Sequence, residues 1–313
     1  MNAKPLMFNK IGDLSTHRHI PRDYVVFKDF ILNQSDYLRT LWLPTNSRWS
    51  IYTNNHPKVG LVSVIDSNWL EFNKNNNRIG FPEEKRILQI IYKKISNGLA
   101  DSSSIKYVIV PLQDKANDDD FFVFYGNDRN FYIRELNKIS WLKKIDIGTK
   151  ELVVYENEGY RPHIYTATQK ETIYKEVPYK KVAFQFKNPT EYKIKLKNIK
   201  QPFFLNFSEA FHSDWKLRVG GFNWFKVLTD KNYFLPDKYH FKNDAQLNSF
   251  YIDPATICKT YNCKKNTDGS YDINLTLYFR PQSYMYLGLI ISGTTLFACL
   301  SYLAFILCSK LRL

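Results

Sequence analysis

The sequence lacks the short motifs of the common nucleotide-binding and hydrolytic enzymes. It contains no glycine-rich phosphate loop, no Gly-x-Ser-x-Gly turn around a serine nucleophile and no Cys/His arrangement suited to nucleophilic catalysis. Internal repeats and low-complexity tracts are also missing. We therefore expect no catalytic residue and no cofactor in this chain.

Glycine and cysteine are both scarce. Only 12 Gly stand against 22 Tyr and 23 Phe, and a surplus of aromatic residues favours β-strands. Of four cysteines, Cys258 and Cys263 flank the short polar stretch CKTYNC. This pair is either a disulfide, which would fit an oxidising compartment, or two free thiols in a loop. With no second pair and no spaced histidines, it does not indicate zinc.

The first 17 residues contain no apolar core of the kind found in a signal peptide. Two arrangements remain open. In one, the chain is tail-anchored with its bulk in the cytosol. In the other, it is the last portion of a longer polytopic protein whose earlier helices export it.

The net charge of +14 would suit nucleic acid, an anionic bilayer or acidic glycans. Lysine is spread along the chain and is not gathered in a basic arm or a known nucleic-acid motif. We therefore expect no nucleic-acid partner.

One long apolar run ends the chain. From Tyr284 to Cys308 there is no charged residue, and about 20 apolar residues suffice to cross a bilayer. This predicts a transmembrane helix over residues 282–309 and a membrane-anchored protein. Arg280 precedes the run, and Lys310 and Arg312 follow it. Together with the family resemblance described below, these charges lead us to expect that residues 1–280 are extracytoplasmic and that residues 310–313 form a cytoplasmic tail.

The rest of the chain predicts an α+β protein with two domains. Residues 1–172 mix helix and strand patterns typical of a layered α/β domain. Pro21 begins one predicted helix, Pro82 begins another that ends at Asn97-Gly98, and a third runs from Arg129 to Ser140. The apolar run from Ile105 predicts a strand covered on both faces, and ELVVYEN from Glu151 predicts a further strand.

Residues 173–281 alternate between apolar and polar residues with a period of two. The pattern predicts a jelly-roll-like β-sandwich of the kind found in carbohydrate-binding domains, in which a hairpin turns at Asn188-Pro189. The apolar positions of the alternating runs are Val182, Phe184 and Phe186; Tyr192, Ile194 and Leu196; Phe203, Leu205 and Phe207; Trp215, Leu217 and Val219; and Tyr271, Ile273, Leu275, Leu277 and Phe279.

PFFLNFSEAFHSDWKLRVGG from Pro202 to Gly221 resembles the "FSESYHPGWKAYVNG" stretch of the C-terminal extracytoplasmic region of bacterial YfhO-like and related GT-C-type membrane proteins. Further similar blocks occur in the same order, including HIPRDYVVFKDFI, YLRTLWLP and YFRPQSYMYLGLIISGTT. The sequence departs from the family at Ser213-Asp214, where Pro-Gly is usual.

The resemblance implies a polytopic cell-envelope protein that handles lipid-linked sugars, with other transmembrane helices as partners of this one. The catalytic carboxylate of GT-C enzymes lies in an early loop between transmembrane helices, and this chain has no such region. We therefore expect a non-catalytic C-terminal portion of a glycosyltransferase-like protein. The alternative is an independent single-pass protein whose sandwich binds a glycan or a protein.

Acid, imidazole and indole side chains cluster near one predicted turn and form the candidate carbohydrate site. Carboxylates accept hydrogen bonds from sugar hydroxyl groups, and an aromatic face covers apolar C–H groups. The alternative is structural, with Trp215 in the core. The exposed face of one predicted strand carries Lys193, Lys195 and Lys197. Their positive charge would attract anionic polymers. The candidate residues are Glu209, His212, Asp214, Trp215 and, after the next turn, Trp224.

Two further groups have the side chains of metal ligands. Asp118, Asp119 and Asp120 are adjacent acids, but no glycine-punctuated calcium loop surrounds them. His17 and His19 have no third ligand near them in the sequence. We therefore predict no metal site.

Overall fold

The computed structural model describes residues 18–59, 96–114, 118, 122 and 128–310. Within them the protein has the predicted α+β fold, with three β-sheets and six α-helices. Two of the sheets pack as a sandwich, and one long apolar helix ends the described chain. The helix predicted after Pro82 lies outside the described residues up to residue 95.

The first sheet has five strands in the order β2-β1-β3-β5-β4. β1 is parallel to both β2 and β3, while β5 is antiparallel to β3 and β4. The strands are β1 (Arg39–Trp42), β2 (Lys58–Val59), β3 (Ile105–Val110), β4 (Lys143–Ile145) and β5 (Val153–Glu156).

Helices cover this sheet on both faces. α1 (Arg22–Leu32) packs Phe27 and Ile31 against the side of the sheet that carries Tyr107 and Ile109. On the other side, α2 (Ser96–Ser102) and α3 (Arg129–Leu136) pack against Val108 and Val110. The prediction that the strand beginning at Ile105 is buried on both faces is therefore confirmed.

The expected helix end at Asn97-Gly98 is wrong, because α2 continues through both residues to Ser102. Glycine is required at position 98 because a side chain would collide with a neighbouring segment, and not because the helix ends there. A Cβ at this position would lie 2.5 Å from the carbonyl oxygen of Ile173, so only glycine lets the two segments approach this closely.

The second sheet is antiparallel and has the order β12-β13-β10-β6-β7. Its strands are β6 (Ile164–Ala167), β7 (Tyr179–Lys181), β10 (Phe203–Ala210), β12 (His240–Lys242) and β13 (Leu247–Ile252). β6 precedes residue 173, so one strand of the sandwich comes from the segment assigned by sequence to the first domain. Its four residues are too few to display the alternation that marks the later strands.

The third sheet is also antiparallel, with the order β11-β15-β9-β8 and β14 paired to β15. Its strands are β8 (Phe184–Asn188), β9 (Glu191–Ile199), β11 (Trp215–Val219), β14 (Lys264–Lys265) and β15 (Tyr271–Phe279). β8 and β9 form the predicted hairpin, with Tyr192, Ile194 and Leu196 buried and the intervening lysines exposed.

The inward side chains of the second and third sheets form one shared core. Leu205 and Phe207 of β10 face Leu217 of β11 and Leu275 of β15 across it. The sandwich expected from the period-two pattern is therefore present, because alternation leaves each strand with one apolar face to bury.

Three short helices connect the strands: α4 (Lys226–Thr229), a 3-10 turn (Asp237–Tyr239) and α5 (Pro254–Thr260). Cys258 in α5 is joined to Cys263 by a disulfide, with 5.3 Å between their Cα atoms. The disulfide thus closes the loop that leads into β14.

The last helix, α6 (Pro281–Lys310), follows β15 with one residue, Arg280, between them. Its segment Pro281–Leu307 is long and apolar enough to cross a membrane, and none of that segment's most apolar stretch is buried against the rest of the protein. Ser283 fixes the foot of the helix, because its hydroxyl donates to the carbonyl of Trp224 at 3.0 Å and lies 2.9 Å from the hydroxyl of Tyr278.

Candidate functional site

The five residues of the candidate carbohydrate site lie in different surroundings. Glu209, in β10, lies at the junction between the first sheet and the sandwich. Its Oε1 accepts a hydrogen bond of 2.6 Å from Nη2 of Arg39 in β1. The same guanidinium donates to the carbonyl oxygens of Ser103 and Ser208, at 2.8 and 2.5 Å. Glu209 therefore helps to join the two halves of the protein.

A buried histidine that the sequence analysis did not single out lies beside this ion pair. His163 stacks on Tyr37 with 3.8 Å between ring centroids, and its Nδ1 lies 2.7 Å from the hydroxyl of Ser208. Burial, reinforced by the nearby charge of Arg39, lowers the pKa of His163 well below its usual range. His163 is therefore a neutral part of the junction.

His212 and Asp214 lie in the turn before β11. The backbone nitrogen of Asp214 donates to Nδ1 of His212 at 3.1 Å, and the carboxylate of Asp214 pairs with Arg280. The ring of His212 is exposed and meets Phe279 edge-on at 5.2 Å. These two residues therefore connect the turn to the foot of α6.

Trp215 is 7% exposed and belongs to the sandwich core. Its ring centroid lies 4.8 Å from that of Phe207 and 5.3 Å from that of Phe279. These contacts favour the structural alternative for Trp215 over a direct sugar contact. Trp224 is half-buried and packs against Tyr286 of α6 at 5.5 Å.

The side chains considered as metal ligands do not come together in the described residues. Asp118 is buried and accepts hydrogen bonds from Ser47 and Tyr24, while Asp119 and Asp120 lie outside the described residues. His19 is exposed, and His17 lies outside the described part. No group of three or more His, Cys, Asp or Glu side chains in the described ranges is placed to hold a metal ion.

A cleft of the sandwich opens beside the foot of α6 and has a volume of about 1100 Å³. We call it the basal cleft. Its lining comes from the end of β11, the segment that follows Gly220-Gly221 and carries α4, the turn after α5, and Arg280. Sequence analysis did not predict this cleft.

A tyrosine fixes the segment that forms one wall of the basal cleft. Tyr233 is buried, and its hydroxyl accepts from the backbone nitrogen of Asn223 at 2.5 Å. Gly220 has φ +86°, a left-handed conformation that suits glycine, and there the chain turns out of β11. The wall is therefore anchored at both ends.

The basal cleft is strongly basic. Arg218 donates to the carbonyl of Tyr233 at 2.7 Å, and its guanidinium lies 4.4 Å from the centroid of that tyrosine ring. Arg218, Lys226 and Lys231 have no carboxylate partner among the described residues. The cations of the lining are Lys216, Arg218, Lys226, Lys231 and Arg280, and its one carboxylate is that of Asp237, which pairs with Lys216.

This arrangement favours binding of an anion. Arginine presents several N–H donors in a plane, and lysine adds positive charge, so the two together suit phosphate or carboxylate oxygens. The exposed ring of Phe225 and the half-buried ring of Trp224 lie in the segment that forms the wall, next to the foot of α6. An anionic group attached to an apolar chain would therefore find both kinds of contact.

Comparisons with protein-family models, curated proteins and solved structures give no match for this chain. The resemblance to YfhO-like and GT-C-type proteins therefore stays a prediction from the sequence blocks quoted above.

Proposed function

We propose that the chain is a membrane-anchored, non-catalytic part of a cell-envelope system that handles lipid-linked sugars, and that the basal cleft holds the phosphate groups of such a lipid. In this arrangement α6 crosses the membrane, and the rest of the described chain lies on the extracytoplasmic side.

The observation that carries the proposal is the position of the basal cleft. Five cations line it against a single lining carboxylate, and one of them, Arg280, immediately precedes α6. Lys216 pairs with Asp237, and Arg280 pairs with Asp214 outside the lining. Arg218, Lys226 and Lys231 have no carboxylate partner among the described residues. A cleft at this position would face the head groups of the bilayer. The phosphate of a lipid could then bind there while its apolar chain stays in the membrane. The sugar part of the proposal rests on the sequence resemblance.

If the basal cleft is the binding site, its lysines should affect the affinity for a lipid phosphate more than lysines elsewhere on the protein do. The test uses the full chain in nanodiscs with farnesyl diphosphate as the probe and calorimetry as the readout. In the double variant Lys226→Gln/Lys231→Gln, we expect binding to weaken roughly ten- to thirtyfold, because each lysine near an anionic surface contributes about 1 kcal/mol. Both lysines are exposed, so the variant should fold.

The matched control is Lys195→Gln/Lys197→Gln on the exposed face of β9, which removes the same charge. We expect it to change the affinity by no more than about twofold, since neither lysine lines the basal cleft and salt screens exposed charges. Equal weakening in both double variants would show that only net charge matters, and the basal cleft would not be the site.

Two further probes separate a lipid phosphate from other anions. Inorganic diphosphate tests the free anion, and nanodiscs that contain phosphatidylserine test a general anionic lipid. We expect both to bind at least about tenfold more weakly than farnesyl diphosphate. Equal affinity for inorganic diphosphate would refute recognition of a lipid-linked group.

A further inference from the structure

A second cleft, of about 410 Å³, lies between α2, the connection from β5 to β6 and the segment that leads to β7. We call it the Asp101 cleft. It shares no lining residue with the basal cleft. Its volume is within the range of small-molecule binding sites.

Two glycines shape this cleft. Gly98 lets the segment around Ile173 approach α2, as described above. Gly159 lies over Asp101, and a Cβ there would be 3.0 Å from Oδ2 of that residue. A side chain at position 159 would therefore press on the carboxylate of Asp101.

Asp101 carries acceptor oxygens that its neighbours hold in place. Its Oδ1 accepts a hydrogen bond of 2.8 Å from Nδ2 of Asn157. The amide nitrogen of Asn97, in the orientation that satisfies its hydrogen bonds, lies 3.1 and 3.2 Å from the two oxygens. Burial raises the pKa of Asp101 to about 6. Each carboxylate oxygen can accept more than one hydrogen bond, which leaves acceptor capacity for a ligand.

An unsatisfied donor lies in the wall of the same cleft. Arg161 is 5% exposed, donates to the carbonyl of Val177 at 2.9 Å and pairs with the buried Glu171 at 3.4 Å. Its Nε is buried and has no acceptor among the described residues. This nitrogen is buried away from the open cleft, so Arg161 contributes its positive charge to the cleft and holds the wall through Val177 and Glu171.

The charges of the Asp101 cleft nearly cancel. Its carboxylates are those of Asp101, Glu158 and Glu176, and its cations are Arg161 and Lys175. Outside the lining, Glu158 pairs with Lys143 at 3.0 Å and Arg161 pairs with Glu171 at 3.4 Å. With both partners counted, four carboxylates stand against three cations. The cleft therefore suits an uncharged ligand with both hydrogen-bond donors and acceptors, in contrast to the basal cleft.

Exposed aromatic rings complete the lining. Tyr174 is 68% exposed and Tyr179 is 44% exposed. Tyr179 is held by Arg161, whose guanidinium carbon lies 4.9 Å from the ring centroid. An exposed tyrosine face can cover apolar C–H groups of a polar ligand.

We propose that the Asp101 cleft binds one uncharged sugar unit. The carboxylate of Asp101 accepts hydrogen bonds from sugar hydroxyl groups, and the ring of Tyr174 covers a C–H face. This site does not depend on the phosphate site of the basal cleft.

The experiment uses the full chain in nanodiscs and saturation-transfer NMR. The probes are the methyl glycosides of glucose, galactose, mannose and N-acetylglucosamine. We expect at least one glycoside to bind with a Kd of about 1 mM, because a single sugar ring buries little surface. Absence of binding by all four probes would overturn the proposal.

Matched tyrosine variants locate the site. Tyr174→Ala should weaken binding about fivefold, because it removes one aromatic contact. Tyr52→Ala removes a tyrosine that is 65% exposed outside the cleft and should change the affinity by less than about twofold. Asp101→Asn should also weaken binding. Glycoside binding that none of these variants changes would belong to another site and would overturn the proposal.

Two controls separate this proposal from its alternatives. Lys226→Gln/Lys231→Gln should leave glycoside binding unchanged, so the two clefts can fail independently. Glucosamine tests a cationic ligand. If it binds more tightly than methyl glucoside and loses that advantage at high salt, the cleft is a cation site and the assignment to uncharged sugars is wrong.

Discussion

Replacement of Trp215 by alanine decides between a core residue and a ligand contact. Trp215 is 7% exposed, and a buried aromatic side chain of this kind removes about 150–250 Å² from water. At about 25 cal/mol per Å², that burial contributes about 4–6 kcal/mol. Measured losses for Trp-to-Ala and Phe-to-Ala changes in cores are about 3–5 kcal/mol. We therefore expect Trp215→Ala to lower the free energy of unfolding by about 4 kcal/mol.

The loss should appear as a fall in melting temperature. For a domain of this size, 1 kcal/mol corresponds to about 2–4 °C, so the midpoint should drop by roughly 8–16 °C. Thermal unfolding of the full chain in nanodiscs, followed by circular dichroism, measures it. His212→Ala is the control, because its ring is exposed and its loss removes one hydrogen bond worth about 1 kcal/mol. A folded Trp215→Ala protein with an unchanged melting temperature and no glycan binding would refute the core assignment.

Two further predictions concern charged and titratable side chains. Glu209→Gln should cost about 2 kcal/mol, because it leaves the guanidinium of Arg39 without its charged partner at the junction. A double-mutant cycle with Arg39→Met should then give a smaller loss for the pair than the sum of the two single losses, and simple additivity would refute the coupling. Burial lowers the pKa of His240 to about 4, so the unfolded chain takes up a proton near pH 6.5 and the folded protein does not. The stability that comes from keeping His240 neutral is full above pH 6.5 and is lost as the pH falls through about 4. NMR titration should place the His240 pKa well below 6.5, and His240→Gln should reduce the acid sensitivity of unfolding; an ordinary pKa would contradict this account.

The parts of the fold that follow from local sequence patterns were predictable. In β9 and β11 each apolar residue is followed by a polar one, and this alternation alone predicts which side chains point inward. It places Trp215 on the inner face, where the structure has it. The helix after Pro21 follows from the helical spacing of its apolar residues, and the buried strand from Ile105 follows from a nearly continuous apolar run.

The clefts could not be predicted, because their residues meet only through the fold. Arg218 and Arg280 approach the same cleft because β11 pairs with β15, whose end is followed by Arg280. Arg39 and Glu209 are 170 residues apart, and no local pattern connects them. At Gly98 a local pattern was present but gave the wrong prediction. Its local pattern predicted a helix end, but a close approach of Ile173 determines the residue at this position.

The joint between β15 and α6 has a consequence for how the protein would respond to its membrane. Arg280 is the only residue between the strand and the helix, and Ser283 hydrogen-bonds to the wall of the basal cleft. Pro281–Leu307 has 27 residues, which at 1.5 Å per residue gives about 40 Å against a hydrocarbon thickness of about 30 Å. In the anchored arrangement that we propose, α6 tilts to fit its surplus length, and the sandwich must turn with it. Bilayer thickness would then set the angle at which the sandwich leans over the lipid surface.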